Sequence, residues 1–376
     1  MFFLAGEASG DFQAAALLSA LRRQRPATTC AAVGGPKLKA AGARIFIDSS
    51  EWGSIGPLSA LPAIPSFYLA LRRLVARIEK LQPRLLIAVD FGAFNLRVLR
   101  RLRACGYRGS MLYYFPPGAW LDDARQAHAV AATATAVTPF AHQRDFFHSL
   151  GLHAEYFGHP LASLVPANGA QPGASDAPRI VIAPGSRRDE VARHLAVLAQ
   201  ASRELERSHG ARFTIVAASV KRAQQICGAW DRASGARSAQ VVQAPLVQTL
   251  AQAQLVWSAS GTAVLETALA GVPQIAFYVV SALQFRIALR RLPERVRHSI
   301  TLPNLVLGRQ IVPELVQHDF TPERLVSLSR HLLSAEPARR AQRDGYRELR
   351  AALGPPDALQ RIAFFVGQRL EAEAGI

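Results

Sequence analysis

Ser258-Ala259-Ser260-Gly261-Thr262-Ala263-Val264-Leu265-Glu266 decides the fold. An apolar run, Leu255-Val256-Trp257, precedes it, and a helix-like run to Ala270, closed by Gly271 and Pro273, follows it. Strand, glycine turn and helix in that order make one half of a parallel α/β unit. The first N–H groups of a helix lack internal partners, and the helix dipole places partial positive charge there. Gly261 lets a ligand approach the backbone, and Ser260 and Thr262 add hydroxyls, a pattern suited to phosphate. Glu266 lies one turn beyond Thr262 on the same face. Its carboxylate repels phosphate but can accept hydrogen bonds from a ribose diol, so the stretch reads as a nucleoside diphosphate site. The plainer reading of the same residues is an N-capped helix with a solvated Glu.

The same order recurs on both sides of this stretch. Phe2–Leu4 reads as a strand, Gly6-Glu7-Ala8-Ser9-Gly10-Asp11 as a tight loop and Phe12–Arg23 as a helix. The glycine spacing is not G-x-G-x-x-G, so no dinucleotide fingerprint is met. Cys30–Val33 runs into Gly34-Gly35. Leu85-Leu86-Ile87-Ala88-Val89, apolar throughout as a strand buried on both faces should be, ends at Asp90. Met111–Tyr114, Ala134–Val137 and Glu155–Phe157 continue the series. Residues 166–178 are turn-rich and predict a linker. Beyond them Ile180–Ala183 leads into Pro184-Gly185-Ser186-Arg187 and a helix to about His209. Phe213–Ala217, Val241–Gln243, Leu255–Trp257 and Gln274–Phe277 supply further strands. This grammar predicts an α/β chain of two Rossmann-like domains, residues 1–165 and 179–345, whose parallel sheets face a cleft. Helices over 346–376 are expected to pack back on the first domain. Ligand-binding groups should gather at the C-terminal ends of the strands.

Half of the 376 residues are apolar and 19% are charged, a balance that fills two cores. Lys+Arg minus Asp+Glu is 44 − 27 = +17, and the isoelectric point is about 10.9. The excess is mostly arginine distributed through helices. It favours anionic partners such as phosphorylated substrates or an anionic membrane surface. Nucleic acid is not expected, because no recognition motif or aromatic interleaving accompanies the charge. Cys30, Cys105 and Cys227 lie far apart without metal or redox spacing. No apolar run approaches bilayer-spanning length, and the N-terminus lacks a basic n-region. The expectation is a cytoplasmic protein.

Asp90, Asp11 and Glu7 are candidate general bases, with Asp11 preferred to Asp90. Asp90 ends an apolar strand, whereas Asp11 and Glu7 flank a Gly-rich loop with Ser9 and Gly10, which are expected to touch substrate. Asp90 could instead cap the next helix or a loop turn, and Asp11 or Glu7 could fix their loop. Arg187, beside Gly185 and Ser186, is placed to bind a diphosphate bidentately, in preference to a surface ion pair with Glu190. His159 before Pro160 reads as structural, and His142, His148 and His153 as surface groups. Glu314 reads as a helix-start carboxylate or as a second nucleotide ligand. Finally, Leu61–Leu81 puts Phe67, Leu71, Leu74, Ile78 and Leu81 on one helical stripe, with Arg72, Arg73, Arg77 and Lys80 beside it. That is either a helix packed on its own sheet or a basic amphipathic helix in an anionic interface.

One ordered set of motifs spans nearly the whole chain: Gly6-Glu7-Ala8-Ser9-Gly10-Asp11, Gly34-Gly35, Phe94-Asn95-Leu96, Gly158-His159-Pro160-Leu161, Pro184-Gly185-Ser186-Arg187, Ser260-Gly261-Thr262-Ala263 with Leu265-Glu266, Leu302-Pro303-Asn304 and Val312-Pro313-Glu314-Leu315. In this order they resemble the lipid-A-disaccharide synthase family. The resemblance implies a GT-B glycosyltransferase at the inner-membrane surface. It implies an inverting transfer from UDP-2,3-diacylglucosamine to 2,3-diacylglucosamine 1-phosphate, forming a β-1,6 linkage and releasing UDP. It also implies Asn304 among the nucleotide contacts, no metal and no cofactor. A homodimer is one expected assembly.

The chain departs from the family's pattern in the half expected to hold the acceptor. The family's Pro-Asp before Phe-Asn is Gly92-Ala93 here, so its leading catalytic Asp is absent. Its Ser-Pro-Ser-Val-Trp-Ala-Trp-Arg becomes Phe115-Pro116-Pro117-Gly118-Ala119-Trp120-Leu121-Asp122, and its Pro-Phe-Glu becomes Pro139-Phe140-Ala141. Two rival readings share the remaining features. One is a UDP-sugar 2-epimerase-like hydrolase; the other is a membrane-bound sugar-nucleotide-binding protein without turnover.

Overall fold

A computed structural model describes residues 1–49, 52, 64–118, 120–166, 177–282, 284–286 and 299–372. The chain forms two compact units, Met1–Ser163 with Leu353–Ile376, and Leu164–Ala352. In the first lie β1 (Phe2–Ala5), α1 (Ala8–Gln24), β2 (Ala31–Gly34), α2 (Pro36–Ala40), β3 (Arg44–Asp48), α3 (Ile64–Leu81), β4 (Leu85–Val89), α4 (Gly92–Ala104), β5 (Ser110–Tyr114), α5 (Ala124–Ala131), β6 (Thr135–Thr138), α6 (Ala141–Ser149) and β7 (Ala154–Tyr156). After α7 (Leu161–Leu164), the second holds β8 (Arg179–Ala183), α8 (Arg188–His209), β9 (Arg212–Val216), α9 (Val220–Arg232), β10 (Gln240–Val242), α10 (Leu246–Leu250), β11 (Leu255–Ala259), α11 (Thr262–Leu269), β12 (Gln274–Tyr278), α12 (Leu302–Leu307), β13 (Glu314–Val316), α13 (Pro322–Ser334) and α14 (Glu336–Ala352). The last helix, α15 (Ala358–Ala372), returns to the first unit and packs along α1.

Both sheets are parallel throughout. Their orders are β3-β2-β1-β4-β5-β6-β7 and β10-β9-β8-β11-β12-β13. The central strands are apolar because helices cover both faces. All five residues of β4 and all five of β11 are buried. In β11 the fully buried Trp257 satisfies its indole N–H on Ser329 Oγ of α13 at 2.9 Å. The strand order reverses between β1 and β4 in one sheet and between β8 and β11 in the other. At such a switch point the neighbouring loops diverge above the strand C-termini and leave a crevice. Four stretches nominated from sequence follow these four strands: Gly6–Asp11, Asp90–Asn95, Pro184–Arg187 and Ser260–Thr262.

The structure also corrects several expectations. Helix α1 begins at Ala8, so Ser9, Gly10 and Asp11 form its first turns rather than a loop. Strands β3 and β13 were not legible in the sequence pattern. The boundary expected at residue 345 moves to Ala352, because α14 runs unbroken and its Gln342 exchanges bonds with Gln274 N and O at 2.9 and 3.0 Å. Residues 167–176, most of the expected linker, and residues 61–63 lie outside the described residues. In α3, Leu74 and Ile78 are buried in the core of the first unit, which favours the packed-helix reading.

Candidate functional site

In the second unit, Gly261 caps α11 with φ +152° and ψ −157°. That region belongs essentially to glycine. Among the described residues, a Cβ built there meets nothing within 4 Å, so they leave the space above the backbone open. No side chain caps α11, which leaves its first turn facing that space with the positive end of its dipole. Ser260 does not offer its proton there: its Oγ donates to Ile300 O at 2.9 Å, while its N–H donates to Phe277 O at 2.9 Å. Thr262 and Glu266 are half-buried on the first two turns.

Beside this loop, Gly185 turns with φ +114°, and Ser186 and Arg187 are exposed. Arg187 Nη1 pairs with Glu190 Oε1 at 2.9 Å. The ion pair that the sequence reading ranked second is therefore present, because Arg187 caps α8 and Glu190 stands one turn along it. Tyr278 at the end of β12 donates its OH to the same carboxylate oxygen at 3.4 Å.

Asn304 was expected to touch nucleotide, and Glu314 either to start a helix or to touch nucleotide. Glu314 opens the strand β13 rather than a helix, and both side chains hydrogen-bond protein groups. Glu314 Oε1 accepts from Ser299 Oγ (2.7 Å), Thr301 N (3.0 Å), Thr301 Oγ1 (2.6 Å) and Asn304 Nδ2 (2.7 Å), and its Oε2 accepts from Ile300 N at 3.0 Å. Asn304 Oδ1 accepts the N–H groups of Ile311 and Val312 at 2.8 and 2.9 Å. This network holds Ile300 where Ser260 bonds it, so both residues support the Ser260 loop from behind.

His194 was not singled out in the sequence. It is fully buried, with Nδ1 at 2.9 Å from Pro184 O and Nε2 accepting Val279 N–H at 3.2 Å. Those partners fix the tautomer with the proton on Nδ1, and burial lowers its pKa. The available signal was position: Val191, His194, Leu195 and Leu198 share one helical stripe, where a histidine needs internal partners.

In the first unit, Asp90 stands at the end of β4 with φ +51°, followed by Phe91 at φ +50°. Two successive non-glycine residues in this region cost on the order of 1–3 kcal/mol each. The surroundings impose the conformation. Asn95 Nδ2 donates to Leu4 O, Val89 O and Asp90 O at 3.3, 3.2 and 2.8 Å, and Tyr113 OH donates to Asp90 O at 3.0 Å. The half-buried carboxylate receives Ser9 Oγ on Oδ2 at 3.2 Å. Gly10 lets α1 come close, since a Cβ there would lie 3.3 Å from Val89 O.

Asp11 plays a different part. It is buried, and its Oδ1 accepts Gly35 N and Leu38 N at 2.8 and 3.1 Å, while Oδ2 accepts Lys37 N at 2.9 Å. It caps α2, and a Cβ on Gly35 would come within 2.8 Å of Oδ2. With both oxygens engaged, the backbone-fixing alternative accounts for Asp11. Around β5 and β6, Trp120 packs at a tilt of 33° on His142 with centroids 4.0 Å apart, so His142 is an aromatic partner rather than a plain surface group. His159 is buried against Phe115 and Phe140, and burial pushes its pKa down to about 3.

A family model described as lipid-A-disaccharide synthetase matches residues 1–361. The chain is 33% identical over 379 residues to a lipid-A-disaccharide synthase of Anaeromyxobacter sp. (strain K), covering 96% of this chain and 95% of that one. It is 32% identical over 371 residues to that of Myxococcus xanthus (strain DK1622), covering 96% and 94%. Among solved structures, a putative UDP-N-acetylglucosamine 2-epimerase from Listeria monocytogenes superposes with a TM-score of 0.65 at 12% identity, covering 99% and 96% of the two chains. The calicheamicin glycosyltransferase CalG4 gives 0.56 at 16% identity over 100% and 98%. These two likenesses concern the fold alone. The match along almost the entire length means that this chain belongs to the lipid-A-disaccharide synthetase family, as a GT-B glycosyltransferase of lipid A biosynthesis.

Proposed function

We propose that this protein moves diacylglucosamine from UDP to diacylglucosamine 1-phosphate with inversion, giving lipid A disaccharide 1-phosphate and UDP. One observation carries the reading: in each sheet, the loops nominated from sequence flank the point where strand order reverses. The second unit takes the nucleotide. Its diphosphate lies over Gly261 at the start of α11, with Arg187, Gly185 and Ser186 beside it and Glu266 toward the ribose. The first unit takes the acceptor, with Asp90 as general base. Asp90 removes the proton of the acceptor hydroxyl as its oxygen attacks the anomeric carbon from the face opposite UDP. The bond to UDP breaks, and its electron pair leaves with the diphosphate. Backbone N–H groups of α11 and the Arg187 guanidinium stabilise that charge. No metal or cofactor is needed in this scheme.

The departure at Ala93 leaves Asp90, rather than residue 93, as the carboxylate after β4. The exposed arginines of α3 and α4 suit an anionic membrane surface on which the acylated substrates lie. Incubating purified protein with the two acylated sugars and analysing the lipid product by mass spectrometry and NMR tests the reading. It predicts a disaccharide 1-phosphate with a β-configured new linkage. An α-linkage would overturn inversion. Epimerised or free sugar in place of disaccharide would favour the hydrolase alternative, and binding without consumption would favour the non-catalytic one.

A further inference from the structure

Strand β11 lies between β8 and β12, so the Gly261 loop is flanked by the loops that follow those two strands. Two side chains one turn apart on α8 join these flanking loops. Glu190 takes Arg187 Nη1 from the β8 side at 2.9 Å and Tyr278 OH from the β12 side at 3.4 Å. His194 takes Pro184 O from the β8 side at 2.9 Å and Val279 N–H from the β12 side at 3.2 Å. The two pairs form successive rungs across the end of β11. The packing beneath them is close: a Cβ on Gly185 would lie 3.4 Å from Glu190 Oε2 and 3.7 Å from Ala259 Cβ.

We infer that Glu190 and His194 are positioning residues that set the spacing of the two loops flanking Gly261, and that Glu190 aims the Arg187 guanidinium at the diphosphate of the bound nucleotide. The inference rests on the reading that UDP binds over Gly261. The chemistry favours positioning over contact. A carboxylate cannot itself bind a diphosphate, and the Glu190 side chain is only 14% exposed whereas that of Arg187 is 45% exposed. Glu190 holds Arg187 Nη1, and the planar guanidinium fork can serve more than one anionic partner at once. His194 is fully buried, and both its ring nitrogens are engaged by backbone groups. Ordering a cationic side chain and two loops before the ligand arrives lowers the entropy lost on binding.

A double-mutant cycle on the full chain, with UDP as the titrant in calorimetry, tests this. Glu190→Gln keeps the shape but loses the charge that holds Arg187. It should weaken UDP binding about tenfold in the native background and have no further effect in an Arg187→Ala background. Tyr278→Phe should weaken binding by about threefold, and His194→Gln should weaken it in both backgrounds, because it acts on Pro184 rather than on Arg187. Circular dichroism of each variant confirms the fold. A folded Glu190→Gln protein that binds UDP as wild type does, or that loses affinity equally in both backgrounds, overturns the positioning role while leaving the nucleotide reading intact. Absence of UDP binding by wild type overturns both.

Discussion

Asp11 and Asp90 are both candidate bases in sequence, yet the structure gives them different surroundings. Asp11 holds three backbone N–H groups at the start of α2. Losing such charge-assisted bonds in a buried site costs roughly 2–4 kcal/mol. Asp11→Ala should therefore lower stability by about that much in urea unfolding, with little change in the rate per folded molecule. Asp90→Asn should do the reverse: kcat falls by at least about a hundredfold, while UDP affinity stays constant. Near wild-type turnover by Asp90→Asn would remove it as the base. His159 gives a pH test. Its folded pKa of about 3 lies below the ordinary histidine value of 6.5, so the unfolded chain takes up the proton first. Its contribution is intact above about pH 6.5 and is lost as pH falls from there toward 3, at about 1.4 kcal/mol per pH unit. Between pH 7 and pH 5 the wild type should lose about 2 kcal/mol from this group, a loss that His159→Gln should lack. Identical pH dependence of the two proteins in urea unfolding would contradict the assignment.

At the scale of elements, the Gly261 turn makes the sharpest demand. Its backbone conformation excludes a side chain, and the open space above it is where the diphosphate is proposed to lie. Gly261→Val should abolish UDP binding in calorimetry; unchanged affinity in a folded variant would sink the site. Helix α3 makes a second demand. Leu74 and Ile78 are committed to the core, whereas Arg72, Arg73, Arg77 and Lys80 are exposed beside Leu69. Charge, rather than an inserted stripe, then carries any membrane contact. Arg72→Glu with Arg73→Glu should weaken binding to anionic vesicles by about 2 kcal/mol or more. Equal co-sedimentation of wild type and variant would leave α3 as a core helix only. Elements were legible where they are buried on both faces: Leu85–Val89 and Leu255–Trp257 read directly from their apolar runs, the second strand extending to Ala259 in the structure. Edge strands were not. Strand β3 is exposed or half-buried at every residue, and the three-residue β13 carries Glu314. Tertiary wiring was also hidden, since Asp11 meets Gly35 and Glu314 meets Thr301 across sequence gaps that no periodicity encodes.

For the molecule as a whole, the net charge of +17 divides into two uses. Some arginines bind backbone carbonyls: Arg22 takes Thr28 O and Ala41 O, Arg103 takes Tyr107 O and Thr133 O, and Arg350 takes Val165 O and Leu269 O. Others remain exposed on α3 and α4, including Arg72, Arg73, Arg97, Arg100 and Arg101. The ordered motifs made the family legible because most of them follow strands of a repeated fold. The half proposed to take the acceptor was less so, because Ala93 stands where the family's pattern has Asp and only the structure shows how Asp90 is held. The central claim is that this chain, with Ala93 in that place, still couples departure of UDP to formation of a new glycosidic bond. The most direct measurement is the amount of UDP released against disaccharide 1-phosphate formed, quantified together in one reaction with both acylated sugars. Transfer predicts one UDP for every disaccharide and no free diacylglucosamine; UDP in excess with free sugar, or neither product, would contradict it.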